Sequence, residues 1–249
     1  MTRRELAAAL FPAAGEEAQI EAKFLLEASG DDGWLREAVR RRLAGEPLQY
    51  ILGEWEFMGL PFLVGPEALI PRQDTETLCE AALRWLKTRP GAFVLDLCCG
   101  SGCIGVSLAK LSGAKVAFAD VSPDALALAR RNARKNGVDG VFYESDLFAR
   151  VSGAFDLIVC NPPYLTAAEM ASRQKELTFE PALALFGGED GLDFYRRLAA
   201  EWQGHAAPGG LLLMEIGHTQ GDAVRGLFPG ATILKDICGL DRVACMERI

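Results

Sequence analysis

What this chain lacks narrows it first. No stretch approaches the ~20 consecutive apolar residues that a membrane-crossing helix needs. The amino terminus, where Arg3, Arg4 and Glu5 lead into an amphipathic pattern, carries no apolar signal core, so no membrane association and a cytoplasmic location are expected. Only two histidines, His205 and His218, are present, and the seven cysteines (79, 98, 99, 103, 160, 238 and 245) form no C-x-x-C pair. That odd, scattered set suits buried reduced thiols, and no metal site is expected. A surplus of positive charge is missing too: 26 Lys and Arg stand against 34 Asp and Glu, a net charge of −8 with a pI near 5.0. Duplex nucleic acid needs a concentrated positive surface, so no direct nucleic-acid ligand is expected. The local run Arg36, Arg40, Arg41 and Arg42 reads as a solvated helix face.

What is present is an ordinary globular composition, 50% hydrophobic and 24% charged over 249 residues, enough for one large domain with a small companion. Residues 1–45 predict two or three short helices, with Thr2 able to cap the first and Ile20, Phe24, Leu25, then Trp34, Leu35, Val39 and Leu43 at helical spacing. Residues 46–74 predict a β-hairpin, Trp55 to Phe57 and Phe62 to Val64 around the turn Met58-Gly59-Leu60-Pro61, followed by an extended linker that enters a helix at Thr75. From 75 to 249 strands and helices alternate. Strands are predicted at Phe93–Leu97, Val116–Asp120, Val141–Asp146, Phe155–Cys160, Gly210–Ile216, Ile233–Ile237 and Val243–Glu247. The fold class that follows is α/β, a doubly wound, mainly parallel sheet.

In such sheets ligands sit at the carboxyl ends of the strands, where Asp96, Asp120, Asp146 and Asn161 fall. Asp96-Leu97-Cys98-Cys99-Gly100-Ser101-Gly102 leaves the first sheet strand and opens a helix, a setting for close backbone approach to a nucleotide-type ligand. Asp120, about twenty residues on, can accept from both hydroxyls of a ribose. Asp146 with Leu147 can offer an acceptor and an apolar wall to an adenine. A nicotinamide dinucleotide and S-adenosylmethionine both suit such a sheet; hydride chemistry commonly needs a histidine relay, and neither histidine falls at a predicted strand end.

Ile158-Val159-Cys160-Asn161-Pro162-Pro163-Tyr164 carries the strongest chemistry. Proline fixes φ and donates no backbone hydrogen bond, so the pair ends the strand and leaves carbonyl groups free. The Asn161 side-chain carbonyl and the Pro162 main-chain carbonyl can then grip both hydrogens of a planar NH2 group, and Tyr164 supplies an aromatic face against which a flat substrate can lie. A strand ended by a Pro-Pro turn, with Asn as a turn residue and Tyr as rim packing, is the bland explanation of the same stretch. About thirty residues follow before the next helix, long for a connection and suggestive of a lid.

These residues together resemble the release-factor glutamine methyltransferases. The resemblance runs from about Gly45 to the end. It is carried by Gly45 to Gly53, Ile70-Pro71-Arg72, Thr75-Glu76, Asp96 to Gly102, Asn161 to Tyr164, Glu180-Pro181-Ala182-Leu183, Gly187-Gly188 through Gly191-Leu192, Glu215-Ile216-Gly217 with Gln220, and Asp236 through Val243. Departures are Cys98 where the family commonly has glycine, Gln73 for proline, Phe179 for tyrosine, and a shorter amino-terminal part. The resemblance implies a seven-stranded Rossmann-like class I methyltransferase sheet with a small helical domain that binds the partner. It implies methyl transfer from S-adenosylmethionine to the glutamine amide of the Gly-Gly-Gln motif of a peptide-chain release factor, by a monomer. Cofactor contacts are expected at Cys98, Cys99, Gly100, Ser101, Gly102, Asp120, Asp146, Leu147 and Asn161. Asn161, Pro162 and Tyr164 are expected to be catalytic, and these three with Pro163 to bind the substrate. The alternatives are an amino-methyltransferase acting on a nucleic-acid base and a non-catalytic adaptor that binds the cofactor.

Overall fold

The computed structural model describes residues 1–248; Ile249, the end of the third expected segment, lies outside the described residues. Helices α1 (Arg3–Ala14), α2 (Ala18–Ala28) and α3 (Asp32–Leu43) open the chain. Thr2 caps α1 by a reciprocal box: its hydroxyl accepts from the Glu5 N–H, and the Glu5 carboxylate accepts from the Thr2 N–H at 2.8 Å. Leu6, Leu10, Leu25 and Leu35 are fully buried in a small core of their own. Three members of the arginine run are paired where they stand. Arg40 pairs with Glu37 and Arg41 with Glu46, while Arg42 is buried and bridges Glu21 and Glu176. Its last member is therefore an internal tie, which the solvated-face expectation missed.

A short helix, α4 (Leu48–Leu52), leads to the hairpin β1 (Glu54–Phe57) and β2 (Leu60–Leu63). The turn is tighter than expected. Met58 and Gly59 both take positive φ, 53° and 72°, a two-residue turn matching the right-handed twist of the ribbon, and Leu60 and Pro61 join the strand. Then follow α5 (Glu76–Leu86), β3 (Phe93–Leu97), α6 (Cys103–Ser112), β4 (Lys115–Asp120), α7 (Pro123–Asn136), β5 (Gly140–Glu144) and β6 (Phe155–Cys160). The chain finishes with α8 (Ala167–Ser172), α9 (Asp193–His205), β7 (Ala206–Glu215), α10 (Gly221–Leu227), β8 (Thr232–Lys235) and β9 (Asp241–Glu247).

The seven strands β3 to β9 form one sheet in the order β5-β4-β3-β6-β7-β9-β8, parallel except at β9. Alternation along β3 feeds both faces: Val94 joins the core under α5, α6 and α7, whereas Leu95 and Leu97 join the core under α9 and α10. The hairpin is carried by α7. Asn132 Oδ1 accepts from the Leu63 N–H at 2.7 Å, its Nδ2 donates to Leu63 O, and Asn136 Nδ2 donates to Pro61 O. Leu97 pairs with Ala119 on one side and Cys160 on the other, so the residues just beyond β3, β4 and β6 emerge at one edge of the sheet.

Candidate functional site

The stretches that follow β3, β4, β5 and β6 converge on a cleft at that edge. Cys98, Cys99, Gly100 and Ser101 from the loop after β3, Asp120, Asp146, Leu147, Asn161 and Pro163 line it. So does the segment Glu67 to Arg72, expected to be only a linker, and Pro181, Leu183 and Ala184 from the long loop.

The loop is held in shape by internal bonds. Gly100 N–H donates to Asp120 Oδ2 at 2.8 Å, Ser122 N–H donates to Asp120 Oδ1 at 2.9 Å, and Asn132 Nδ2 reaches Ser101 O at 2.9 Å. Burial pushes the Asp120 carboxyl up from its ordinary value, opposed by the N–H groups of Ser122, Gly100 and Val121. Each of its oxygens keeps acceptor capacity, which fits a ligand offering two hydroxyls. Gly102 does not reach the cleft. It sits at φ 76°, and a Cβ there would stand 3.0 Å from the Ala129 Cβ, so its role is to let α7 pass. Cys98 takes φ 57°, the left-handed backbone that glycine supplies elsewhere, and so holds strain.

Asp146 departs from expectation. Strand β5 stops at Glu144, and the Asp146 carboxylate lies exposed beyond it, paired with Arg197 of α9 at 2.8 Å. Leu147 beside it is buried, with φ 46°.

Asn161 lines the cleft while its Nδ2 donates to the Thr75 hydroxyl at 3.3 Å. A carboxamide is planar, so tying the nitrogen on one side commits Oδ1 to the other. Pro162 and Pro163 are buried. Tyr164 does not line this cleft; it turns toward a second, polar one shared with Asp74, Glu169, His218, Gln220 and Arg242, and its hydroxyl donates to Glu215 Oε1 at 3.3 Å. Gln220 fixes the tyrosine backbone, donating to Tyr164 O at 3.1 Å while its Oε1 accepts from Tyr195 and Gly217. The loop closes back on this turn at Gly187, where a Cβ would stand 2.7 Å from both Pro163 O and Tyr164 Cα.

Glu180 and Glu215 entered the sequence reading only as parts of a family pattern, and Thr75 as part of that pattern and as the entry to a helix. Thr75 stands where the helix was expected to be entered, at the start of α5, and its side chain makes no cap bond but serves Asn161. Glu180 is buried, accepting from Ile70 N–H and pairing with Arg72. Glu215 is buried at the end of β7, and desolvation lifts its carboxyl to about 7 against the pull of Thr75, Arg242 and Tyr164. Sequence signals for these roles are weak, because each depends on neighbours from other elements, 86 residues away for Thr75 and 110 for Glu180.

Known proteins resemble this chain in sequence and in fold. Residues 75–185 match the family model of the methyltransferase small domain, and residues 29–53 match that of the PrmC N-terminal domain. A release factor glutamine methyltransferase of Geobacter sulfurreducens is 46% identical over 216 residues, 84% of this chain and 75% of the relative. Another from Moorella thermoacetica is 44% identical over 216 residues, 83% of this chain and 76% of the relative. A T. thermophilus 16S rRNA methyltransferase, solved in complex with AdoMet and guanosine, superposes with a TM-score of 0.57 at 20% identity, covering 79% of this chain and 50% of that one, a likeness of fold. The sheet is thus the expected class I methyltransferase sheet, and the chain belongs to the release factor glutamine methyltransferase family.

Proposed function

We propose that this protein methylates the side-chain amide nitrogen of the glutamine in the Gly-Gly-Gln motif of a peptide-chain release factor. The observation that carries the proposal is the placement of Asn161, within a chain 46% identical to a release factor glutamine methyltransferase, on a cleft shared with Asp120 and the loop after β3. The family's cofactor is S-adenosylmethionine, which when bound supplies an electrophilic sulfonium methyl group. The residues present fit it. Asp120 would hold the ribose hydroxyls, Leu147 and Val121 would wall the adenine, and Cys98 to Ser101 would flank the amino-acid portion.

A glutamine amide nitrogen is a poor nucleophile because its lone pair is delocalised into the carbonyl. Asn161 Oδ1 and the Pro162 carbonyl would accept its two hydrogens and orient the nitrogen, and Pro163 would close the slot. Positioning of this kind supplies several kcal/mol of barrier reduction without a general base. Tyr164 would act from beneath, through Glu215 and Gln220, and not as a face for the substrate. Residues 1–45 would dock the partner, residues 46–74 would form the hairpin and cleft wall, and residues from 75 onward would carry the chemistry. The internal pairing of Arg40, Arg41 and Arg42 supports a protein partner over nucleic acid. Among the described residues no helix is long and apolar enough to cross a membrane. We read the enzyme as a cytoplasmic monomer.

Mass spectrometry of the Gly-Gly-Gln peptide, after incubation of release factor with the protein and S-adenosylmethionine, tests the proposal. A gain of one methyl on the glutamine is expected. Label appearing in RNA or DNA instead, or binding without any transfer, would overturn it.

A further inference from the structure

The carboxyl of Glu215 lies buried beneath the site, and the methyl transfer itself makes no use of it. It is 1% exposed, and its Oε2 has no close hydrogen bond among the described residues. Thr75, 2% exposed, stands between it and Asn161: the hydroxyl accepts from Asn161 Nδ2 and lies near enough to draw down the Glu215 pKa. A hydroxyl carries one proton and two lone pairs, so what it offers Asn161 depends on where that proton goes.

We infer that Glu215 is a positioning residue which, through the Thr75 hydroxyl, sets which end of the Asn161 amide faces the cleft. The inference rests on the reading of Asn161 as the residue that grips the substrate amide. With Glu215 ionised, the Thr75 proton points to the carboxylate, the free lone pairs of Oγ1 take Asn161 Nδ2, and Oδ1 is left for the cleft. With Glu215 protonated, its own proton can be given to Thr75 Oγ1. The threonine proton is then free for Asn161 Oδ1, the amide turns over, and an NH2 group meets the NH2 group of the substrate. Two donors cannot bond each other, so this second state is unproductive.

The surroundings bias Glu215 without deciding its charge. Arg242 from β9 favours the carboxylate, and Asp74 before α5 opposes it. The Tyr164 hydroxyl donates to Oε1, and the Tyr195 hydroxyl from α9 is shared between the Glu215 main-chain oxygen and Gln220 Oε1. Cys79 of α5 and Cys103 of α6 also face it, and burial holds both thiols neutral. Asp96, also raised by burial, stands near the same thiols, and His218 lines the second cleft beside Tyr164 and Arg242, so Glu215→Gln is the variant that isolates the contribution of this carboxyl.

The test uses the full chain with Thr75→Val, Thr75→Ser and Glu215→Gln. Three quantities are read: kcat and KM for release-factor methylation, calorimetric affinity for S-adenosylhomocysteine, and the pH titration of the Asn161 side-chain NH2 resonance in the cofactor-free protein. Thr75→Val should lower kcat about a hundredfold with affinity for S-adenosylhomocysteine unchanged, and Thr75→Ser should restore most of it. Wild-type kcat should rise with pH through about 7, with the Asn161 resonance moving over the same range, and Glu215→Gln should abolish both changes. A Thr75→Val enzyme with wild-type kcat, a parallel loss of cofactor affinity, or an Asn161 resonance indifferent to pH would overturn the inference. Wild-type protein that transfers no methyl to glutamine would instead overturn the reading it rests on.

Discussion

Glu180 Oε2 accepts a hydrogen bond from the backbone N–H of Ile70 at 2.9 Å, across 110 residues of sequence, while Oε1 of the same buried carboxylate pairs with Arg72. That one side chain staples the long loop to the segment walling the opposite side of the cleft. The base of the loop is pinned as well, by Leu165 N–H to Leu185 O at 2.9 Å and Gly187 N–H to Leu165 O at 2.8 Å. A segment so held is a formed roof whose free edge depends on Glu180.

Removing the staple should open the roof without unfolding the sheet. Glu180→Ala leaves the buried Ile70 N–H unpaired, at a cost of about 1–3 kcal/mol, borne by the loop and not by the core. Hydrogen exchange should accelerate in residues 165–190 and 67–72 alone, and affinity for S-adenosylhomocysteine should fall, since Pro181, Leu183 and Ala184 line the cleft. Unchanged exchange would show that other contacts hold the loop.

Asn161→Ala addresses the grip itself. It should reduce methyl transfer by roughly a thousandfold, in the upper range for loss of one preorganised hydrogen-bonding group. The Asp120 side of the cleft keeps its Gly100 and Ser122 bonds, so S-adenosylhomocysteine should bind almost as before. Normal turnover by this variant, measured by mass spectrometry of the glutamine peptide, would sink the proposed role.

Cys98 offers a clean measure of backbone strain. Replacing it by glycine or by alanine removes the same sulfur, but only glycine takes φ 57° without penalty. Cys98→Gly should therefore be more stable than Cys98→Ala by about 1 kcal/mol, read from urea midpoints at constant m-value. Equal stabilities would mean that the loop relaxes out of the left-handed region.

Much of this was legible in the sequence because it is local. The runs Phe93–Leu97 and Phe155–Cys160 contain only residues that a doubly covered strand would choose, apart from Asp96 and Asp156, and both strands begin and end where expected. Pro123 and Gly137 bracket α7 by their own stereochemistry. The linker was misjudged for the opposite reason. Leu69-Ile70-Pro71-Arg72 looks like an extended connection, and only the buried carboxylate at position 180 makes it a wall. Arg42 likewise belongs by pattern to a solvated helix face, and only Glu21 and Glu176, from other elements, draw it inward. Tyr164 was given an aromatic role because a phenol beside Pro-Pro suggests a flat slot; its hydroxyl was claimed by Glu215, a residue no local rule connects to it.

The burial of Glu215 also makes a prediction about stability, with a definite sign. Its carboxyl titrates near 4.5 when exposed and at about 7 in the folded protein. Between those values the native state binds more protons than the unfolded state, so this group lowers stability as pH rises from about 4.5 to about 7 and adds no further change above that. Glu215→Gln cannot ionise and is free of this loss. Asp96 and Asp120 are raised by burial too, but they are common to both proteins and cancel in the difference. Unfolding free energies measured by urea at a series of pH values should therefore show Glu215→Gln gaining on wild type by a few kcal/mol across that window, with the difference flat on either side. A difference independent of pH would mean that Glu215 is already ionised in the folded protein throughout the range, and the relay to Asn161 would then have no proton to lose near neutrality.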